Sequence, residues 1–221
     1  MGFTVLIVDD HELFSTSLRM ALRAHGLDAH QVTPSGFDVI LRQAEELPNG
    51  LIVLDLDLGK APDGGWLHGP DVVTGLRERG WKVLIVSGSQ DQPGIAAAIA
   101  AGAIGSVLKT SSFGALLETV IAAAEGRSLM TEAQHQSWLA LDRTYRAKER
   151  ELARRLSRLS RREQEVLELL AEGHRAAAIA EHFVVSMTTV RTQIRSILTK
   201  LEVSSQLEAV ALLRQAPDRE P

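Results

Sequence analysis

The chain has 221 residues, 45% of them hydrophobic and 24% charged, which is the composition of a globular protein with room for two small domains. It contains no cysteine, which excludes disulfides, thiolate metal sites and cysteine nucleophiles. The net charge of −4 is uneven: residues 1–142 hold 9 Lys/Arg against 17 Asp/Glu (−8), whereas residues 143–221 hold 15 against 11 (+4). An acidic part followed by a basic part predicts two domains, of which the second is a candidate for binding a polyanion.

The amino-terminal half alternates five times between apolar strands and amphipathic helices. The strands are predicted at residues 3–8, 28–32, 51–55, 81–86 and 104–108. The helices are predicted at residues 12–25, 35–47, 71–79, 91–101 and 113–126, with Ser35 and either Ser111 or Ser112 as amino-terminal caps, and the Gly- and Pro-rich tract 59–70 is expected to be irregular. This alternation predicts an α/β fold, a doubly wound, five-stranded parallel sheet with helices on both faces.

Polar side chains stand at the carboxyl ends of four of the five predicted strands. Asp9 and Asp10 end the first strand, Asp55 the third, Ser87 the fourth and Lys109 the fifth. A lone Asp or Ser at such a place is usually a turn former. Ligands of parallel sheets bind beyond the carboxyl ends of the strands, however, so the convergence of the set indicates a functional site.

The residue types of this set indicate phosphoryl chemistry. Three carboxylates held close together repel one another and favour a hard divalent cation with oxygen ligands, which indicates Mg²⁺. The cation and the ammonium group of Lys109 form a pocket for a dianionic phosphoryl group. Asp55 is the candidate nucleophile that accepts phosphoryl as an acyl phosphate, while Lys109 and the Ser87 hydroxyl stabilise the phosphoryl oxygens.

Four segments, VLIVDDHELF, VLDLDL, VLIVSG and GSVLK, resemble the receiver domain of bacterial two-component response regulators over about residues 3–126. The resemblance implies a flavodoxin-like fold and phosphorylation by a sensor histidine kinase. It also implies a role for each polar residue: Asp55 as the phosphoacceptor, Asp10 as a direct Mg²⁺ ligand, Asp9 as a ligand acting mostly through water, Asp57 as a ligand through its backbone carbonyl, Ser87 as the signalling hydroxyl, and Lys109 as the lysine common to the family.

Three features depart from the receiver pattern. Leu58-Gly59 stands where the family usually has Met-Pro, and the chain up to Gly69 is about six residues longer than the common pattern. Residues 60–68, which include Trp66, are therefore expected to form an enlarged lip over the site. Ser106 occupies the position of the aromatic residue that turns inward on activation, so the usual aromatic switch cannot operate in its usual form.

The middle of the chain, residues 128–159, contains no Gly or Pro after Ser128 and predicts a helical connector that starts near Thr131. Its apolar residues have heptad-like spacing, but Lys148 and Arg155 interrupt the alternate positions. That pattern favours a solvated helix that packs an apolar stripe on a neighbouring domain over a dimerising coiled coil.

The basic carboxyl-terminal part has a purely helical pattern. It predicts a helix with a Ser160/Glu163 capping box that ends at Gly173, then helices at residues 175–183 and 188–201, and a last helix from a Ser204 cap to about residue 213. The second and third helices are joined by a tight turn, which fits helix-turn-helix geometry. The candidate DNA contacts are Arg191, Thr192 and Arg195 for the bases, and Arg175, Lys200 and the start of the third helix (Ser186, Thr188, Thr189) for the phosphates.

The segments LSRREQEVLELLAEG and IAEHFVVSMTTVRTQIRSILTKLEVSSQLEAV resemble the LuxR-type DNA-binding domain over residues 157–214. The resemblance implies that Glu163 is the family's packing glutamate, that Thr189-Val190-Arg191 opens the recognition helix and that the last helix forms a dimer contact. Gln193 stands where His is frequent, and Ala176-Ala177 replaces a more polar pair.

Together the two resemblances indicate a NarL/FixJ-type response regulator, with a receiver at residues 1–127, a helical linker at 128–156 and a LuxR-type helix-turn-helix domain at 157–221. We expect a non-enzymatic regulator that uses Mg²⁺, is phosphorylated on Asp55 by a histidine kinase, forms a homodimer and binds double-stranded DNA. No signal peptide or membrane-spanning tract is evident in the sequence, so a cytoplasmic location without membrane association is expected.

Two alternatives fit the same residues. Ser106 and the long 59–69 loop favour an atypical regulator in which ligand or protein binding, rather than phosphorylation, controls the receiver. A Mg²⁺-dependent aspartyl-phosphate phosphatase would use Asp55 as nucleophile, and Asp57 has the spacing of a second carboxylate, but a DNA-binding domain argues against an enzyme.

Overall fold

The first half of the chain is built around a five-stranded parallel sheet with the strand order β2-β1-β3-β6-β7. The computed structural model of the protein describes residues 2–60, 66–88 and 91–215. The strands of this sheet are β1 (Thr4–Val8), β2 (Asp28–Val32), β3 (Leu51–Asp55), β6 (Lys82–Ser87) and β7 (Gly105–Leu108). All five residues of β1 and of β3 are buried, because helices cover both faces of the sheet. The predicted fold class is thereby confirmed.

Five helices pack on the two faces of the sheet. They are α1 (Glu12–Ala24), α2 (Phe37–Glu45), α3 (Gly69–Glu78), α4 (Gln92–Ala100) and α5 (Phe113–Ala124). Side chains of β1 alternate between two cores: Leu6 and Val8 belong to the core that includes α2, α3 and α4, whereas Val5 and Ile7 belong to the core that includes α1 and α5. Because successive side chains of the strand point to opposite faces, the sheet packs against an apolar core on each side.

The tract 59–70, predicted to be irregular, departs most from the sequence expectation. The chain instead forms a short antiparallel pair of strands, β4 (Asp57–Lys60) and β5 (Trp66–His68), and α3 begins directly after it, at Gly69. The expected lip over residues 60–68 falls partly on residues 61–65, which lie outside the described residues. The prediction was wrong because two strands of three and four residues are too short to show a periodic pattern.

Helix caps were predicted with mixed success. Ser112 caps α5 by accepting a hydrogen bond from the Ala115 amide at 3.3 Å. The prediction of Ser35 for α2 was wrong, because the N-cap is Gly36, whose φ of 139° lies in a region that residues with a side chain rarely adopt. A glycine in this conformation places the start of the helix one residue later than a serine cap would.

The long helix α6 (Glu132–Leu156) follows the sheet and supplies the predicted connector. The chain divides into two compact units, residues 1–143 and 144–221, so α6 begins in the first and ends in the second. Within the first unit, Met130 and Trp138 pack against the core that includes α4. In the described part of the chain, no helix combines the length and the apolar character needed to cross a membrane.

After α6, the described residues of the second unit form four helices around one apolar core. They are α7 (Arg161–Ala171), α8 (Ala176–His182), α9 (Met187–Leu201) and α10 (Gln206–Arg214). The predicted capping box is present, with the Ser160 hydroxyl accepting from the Glu163 amide and the Glu163 carboxylate accepting from the Ser160 amide at 2.7 Å. The prediction of Ser204 as the cap of α10 was wrong: Ser205 is the cap, and Ser204 donates to Glu208 instead.

Val184, in the turn between α8 and α9, has a strained backbone. Its φ is +54° and it is 90% exposed, so a β-branched side chain occupies the left-handed region with no packing to compensate. That conformation costs roughly 1–2 kcal/mol for a residue with a Cβ, and glycine returns roughly 0.5–1 kcal/mol of chain entropy to the unfolded state. We therefore expect Val184→Gly to stabilise this unit by about 0.5–1 kcal/mol.

Urea unfolding of the full chain, followed by a probe in the second unit, measures the effect of Val184→Gly. Val184→Ala is the matched control, because it removes the β-branch but keeps the Cβ, and its stability should fall between those of the parent protein and the glycine variant. A glycine variant less stable than the parent would contradict the assignment of strain to Val184.

Candidate functional site: an acidic pocket and a helix-turn-helix surface

Two buried carboxylates and a lysine form the centre of the site in the first unit. Asp9 follows β1, Asp55 is the last residue of β3, and Lys109 follows β7. The Lys109 Nζ atom lies 2.7 Å from Oδ2 of Asp9 and 2.6 Å from Oδ2 of Asp55. Asp9 and Asp55 are only 4% and 2% exposed, so solvent screens these ion pairs weakly. The parallel register of the sheet thus brings together three residues that lie far apart in the sequence.

Ser87 is buried as the last residue of β6, the strand next to β3. Its predecessor Val86 is the register partner of Asp55. The backbone carbonyl of Ser87 accepts a hydrogen bond from the Lys109 amide at 2.7 Å. The sequence predicted that Ser87 follows the strand, whereas the structure includes it in the strand. Ser87 and Lys109 therefore belong to the same edge of the sheet as Asp55.

The segment after β3 folds back towards the acidic residues. The Asp57 amide donates to Oδ1 of Asp55 at 3.3 Å, while the Asp57 side chain is exposed. Gly59 has a φ of +72°, and a Cβ built on it would lie 3.6 Å from Oδ2 of Asp10. Leu58, which occupies the place of the usual Met, is 2% exposed and belongs to the apolar core. Leu58-Gly59 thus anchors the segment and lets its backbone run close to Asp10.

Burial, with a smaller effect of a neighbouring like charge, alters the pKa of the phosphoacceptor candidate Asp55. Burial, together with the negative charge of Asp9, raises the pKa of Asp55 to about 6, although hydrogen bonds from Lys109 and the Asp57 amide oppose this. Burial by itself would lower the pKa of Lys109, but its hydrogen bonds and charge interactions with Asp55 and Asp9 raise it overall. At neutral pH the pocket therefore holds an ionised Asp55 at an energetic cost and a firmly protonated lysine.

His11 is a neighbour of the acidic residues that the sequence analysis missed. Its Nδ1 atom lies 2.6 Å from Oδ1 of Asp10 and 3.2 Å from Oδ1 of Asp9, and Oδ1 of Asp9 also accepts from the His11 amide at 2.7 Å. His11 stands directly after Asp9-Asp10, so position alone was the available signal. The imidazole holds the two carboxylates in place from the solvent side, since its own side chain is two-thirds exposed.

The donor set fits a divalent cation. Ligand atoms of Asp9, Asp10, His11 and Asp55 all lie within 4.8 Å of one another. Carboxylate oxygens are the ligands that Mg²⁺ prefers, and it commonly uses one or two carboxylates with water in its remaining positions. Asp9, Asp10 and Asp55 are therefore the residues that would hold Mg²⁺ here.

An aromatic ring contacts the pocket from α1 rather than from β7. The Lys109 Nζ atom lies 5.1 Å from the centre of the Phe14 ring, within the range of a cation–π interaction. Ser106, in the place of the usual switch aromatic, pairs in register with Ile85 and is half-buried. The aromatic neighbour of Lys109 is thus supplied by the helix that follows Asp9-Asp10.

In the second unit, α9 presents a polar face opposite its buried side. Val190, Ile194, Ile197 and Leu201 are buried, whereas Thr188, Thr189, Arg191, Thr192 and Arg195 are exposed. No residue of α9 is acidic, and within the described residues neither Arg191 nor Arg195 pairs with a carboxylate. Both guanidinium groups are therefore available for a ligand of opposite charge.

The predicted phosphate-contacting residues lie in different local settings. Arg175 is exposed at the N-cap of α8. Ser186 caps α9 by accepting from the Thr189 amide at 3.1 Å, and the two hydroxyls lie 2.9 Å apart. The Lys200 Nζ atom, in contrast, donates to Glu163 at 2.6 Å, so its charge is already neutralised inside the unit. Of this set, Lys200 alone is tied to a carboxylate of the core.

Comparison with known proteins gives two family matches. The family described as response regulator receiver domain matches residues 5–121, and that described as bacterial regulatory proteins, luxR family, matches residues 157–213. The nitrate/nitrite response regulator protein NarP of Escherichia coli (strain K12) is 32% identical over 216 residues, covering 96% of this chain and 95% of that protein. NarL of the same strain is 26% identical over 218 residues, with the same coverage.

A solved structure of RcsB from Salmonella enterica serovar Typhimurium is similar in fold. It was determined bound to promoter P1flhDC in the presence of the phosphomimetic BeF3-, and it superposes with a TM-score of 0.51 at 19% identity, covering 96% of this chain and 98% of that one. At this identity the likeness shows the fold alone.

A parallel sheet with acidic residues at its carboxyl edge, followed by a helix-turn-helix unit, defines a DNA-binding transcriptional response regulator of the two-component type. The receiver match covers more than half of the chain, and NarP is similar over nearly its whole length. The chain therefore belongs to the NarL/FixJ-type response regulators.

Proposed function

We propose that a sensor histidine kinase phosphorylates this regulator on Asp55. The observation that carries the proposal is the buried Asp55 carboxylate with the Lys109 ammonium group 2.6 Å away at the carboxyl edge of the sheet. A carboxylate in this setting is desolvated and oriented, and the lysine already stands where the negative charge of a phosphoryl group would arrive. Asp9 and Asp10 lie beside it.

The chemistry follows from these positions. A carboxylate oxygen of Asp55 attacks the phosphorus of a phosphohistidine, so that the O–P bond forms while the P–N bond breaks and the imidazole leaves with the electron pair. Lys109 stays protonated and shifts its hydrogen bond from the carboxylate to a phosphoryl oxygen, and the Ser87 hydroxyl binds another. Asp9, Asp10, Asp55 and the backbone carbonyl of Asp57 would hold Mg²⁺, which would supply charge neutralisation.

Transfer of a phosphoryl group removes the main electrostatic tie within the pocket, because the ammonium group no longer bonds directly to Asp55. We propose that this change favours a homodimer that binds paired half-sites on double-stranded DNA. In this assignment residues 1–127 are the receiver, 128–156 the linker and 157–221 the DNA-binding domain. Because the protein acts on DNA, we also assign it to the cytoplasm.

On DNA, the exposed face of α9 is proposed to enter the major groove. Arg191 and Arg195 are long enough to bond guanine edges, and Thr192 lies on the same face, while Arg175, Ser186, Thr188 and Thr189 contact phosphates. Lys200 completes the predicted set only if it leaves Glu163, and that exchange would cost a strong charge-assisted hydrogen bond. We therefore assign the phosphate contacts to Arg175, Ser186, Thr188 and Thr189, and Lys200 joins them only after that exchange.

A receiver controlled by ligand or protein binding is the second candidate function, and it has a specific observation in its favour. Ser106 has no aromatic ring that could turn inward when the acidic pocket is phosphorylated. The β4–β5 strand pair is an additional element next to that pocket. The phosphatase alternative has less support, because the relatives are transcription regulators and the Asp57 side chain is exposed.

Beryllofluoride tests the phosphorylation proposal. With Mg²⁺ and beryllofluoride, the full chain should shift from monomer to dimer in analytical ultracentrifugation and bind operator DNA more tightly, while Asp55→Ala should do neither. Glu78→Ala, a surface carboxylate of the first unit, is the matched control and should behave like the parent. A parent protein whose mass and DNA affinity both ignore beryllofluoride would leave control by ligand binding as the better account.

Base contacts by α9 can be tested separately. Arg191→Ala should weaken binding to the specific operator by about 1–3 kcal/mol, because a bidentate contact to guanine is lost. The difference in affinity between the operator and nonspecific DNA should become smaller as a result. Fluorescence anisotropy at two salt concentrations measures both effects. Arg150→Ala, an exposed arginine of α6, is the control and should change neither affinity. Equal losses on specific and nonspecific DNA would make Arg191 a phosphate contact instead.

A further inference from the structure

A second cavity lies in the first unit, away from the acidic pocket. Its volume is about 570 Å³, within the range of small-molecule sites. It is open on one side, and its lining comes from the ends of α3, α4 and α5, the segment 126–130 and the start of α6. Lys82, the first residue of β6, lies on its wall, whereas Val86, the register partner of Asp55, is four residues further along that strand. At the rise of a β-strand this separates the two sites by roughly 13 Å.

The cavity combines an apolar wall with a basic one. Ile99, Leu129, Met130 and Leu139 supply the apolar contacts. The charged side chains in the lining are Arg77, Lys82 and Arg127, and His135 is the other ionisable group. No Asp or Glu lines the cavity in the described residues. Such a lining matches a ligand with an apolar body and one negatively charged group.

A glycine gives the side chain of Arg77 room at the cavity. A Cβ on Gly102, whose φ is +104°, would overlap the guanidinium group of Arg77, which instead lies across the glycine and donates to the Ala101 carbonyl at 3.4 Å. A Cβ on Gly126 would lie 3.8 Å from the Nζ atom of Lys82. Gly102 therefore makes the position of Arg77 possible, whereas Lys82 would only be in van der Waals contact with a Cβ at position 126.

The charge of Arg77 and Lys82 is not compensated locally. Arg127 pairs with Glu125 at 2.9 Å, but within the described residues neither Arg77 nor Lys82 has a carboxylate partner. Both residues are exposed, so solvent screens their charge, but two cations without a carboxylate partner at the edge of an apolar wall still attract an anion.

We propose that this cavity binds a small organic acid, with its carboxylate between Arg77 and Lys82 and its apolar body on Leu129, Met130 and Leu139. The ligand would bridge the end of the receiver to the first turns of α6, the helix that continues towards the DNA-binding unit. It gives the receiver an input that does not pass through Asp55, so its failure would leave the phosphorylation proposal untouched.

Isothermal titration calorimetry of the full chain with octanoate tests the proposal, with 1-octanol and inorganic phosphate as probes of the apolar and charged parts alone. Octanoate should bind one to one. 1-Octanol should bind at least roughly tenfold more weakly, since it lacks a charge-assisted hydrogen bond that contributes about a factor of ten. Inorganic phosphate should also bind at least roughly tenfold more weakly, because it has no apolar body to bury. The combined substitutions Arg77→Gln and Lys82→Gln should weaken octanoate by roughly tenfold or more.

Two further variants keep the test independent of folding. Ala100→Phe, at the cavity wall on the last residue of α4, should block octanoate without removing a charge. Arg42→Gln, an exposed arginine of α2 outside the lining, should leave octanoate binding unchanged. Octanol binding as tightly as octanoate, unaltered octanoate affinity in the Arg77/Lys82 variant, or absence of octanoate binding at millimolar concentration would each overturn the proposal.

Discussion

Replacing Glu163 with glutamine should lower the free energy of unfolding of the second unit by about 2–3 kcal/mol at pH 7. The carboxylate is buried and accepts hydrogen bonds from the Ser160 amide at 2.7 Å, the Ser196 hydroxyl at 2.6 Å and the Lys200 ammonium group at 2.6 Å. Burial alone would raise its pKa, but these bonds outweigh burial and lower the pKa of Glu163 to about 2. Glutamine cannot accept all three, and it leaves the ammonium group of Lys200 unpaired.

The pH dependence gives the Glu163 prediction its sign. A carboxyl group with a lowered folded-state pKa stabilises the protein fully above its ordinary pKa of 4.5, and this contribution is lost as pH falls towards about 2. The parent protein should therefore lose stability over that window, while Glu163→Gln should lose about 2–3 kcal/mol less. Urea unfolding at a series of pH values, with a probe in the second unit, measures both curves.

The matched control for Glu163 is Glu165→Gln. Glu165 stands on the same helix but pairs with Arg161 and Arg162 near the surface, so its removal should cost less than about 1 kcal/mol. Equal losses in the two variants would show that the Glu163 network is no stronger than a surface ion pair. The comparison also bears on DNA binding, because a folded Glu163→Gln variant frees Lys200 to contact phosphate.

The contrast between Lys200 and Arg191 shows where sequence reasoning stops. Both lie on α9 and carry positive charge, so the helical pattern assigned both to DNA. The structure ties Lys200 to Glu163, 37 residues earlier in the chain, and leaves Arg191 exposed without a carboxylate partner among the described residues. Periodicity gives the face of a helix that a residue occupies, but it carries no information about a partner from another helix.

The sheet and its acidic edge were predictable because their signal is long and repeated. Five apolar runs alternate with amphipathic helices, and a parallel sheet brings the carboxyl ends of those runs to one edge. Asp9, Asp55 and Lys109 therefore meet where the pattern indicated. Short features were not predictable in this way: the β4–β5 pair has too few residues to show alternation, and His11 contacts Asp10 through a side-chain orientation that no spacing rule reveals.

In the first unit, Asp55→Asn should make the metal-free protein more stable at pH 7.5, by up to about 3 kcal/mol. Burial and the charge of Asp9 raise the pKa of Asp55 from 3.8 to about 6. A carboxyl group with a raised folded-state pKa favours the folded protein below pH 3.8, and this contribution is lost as pH rises through about 6. At pH 7.5 the ionised carboxylate therefore costs stability, and asparagine, which is neutral and nearly isosteric, removes that cost.

Mg²⁺ should reverse the order of stability between Asp55→Asn and its parent. Binding to the folded state alone adds about 4.1 kcal/mol at a concentration one thousand times Kd, which exceeds the cost of up to about 3 kcal/mol, and the variant lacks one carboxylate ligand. Thermal unfolding at pH 7.5 measures the reversal: Asp55→Asn should have the higher midpoint in EDTA, and the parent should have the higher midpoint in Mg²⁺. Near pH 4 in EDTA the advantage of Asp55→Asn should disappear, because Asp55 is then largely protonated in the folded protein. Asp38→Asn, an exposed carboxylate in α2, should show no such reversal. If Mg²⁺ stabilised the parent and Asp55→Asn equally, Asp55 would not be a metal ligand. The unfavourable ionisation of Asp55 at neutral pH could then not be explained as the cost of a site that binds a cation and a phosphoryl group.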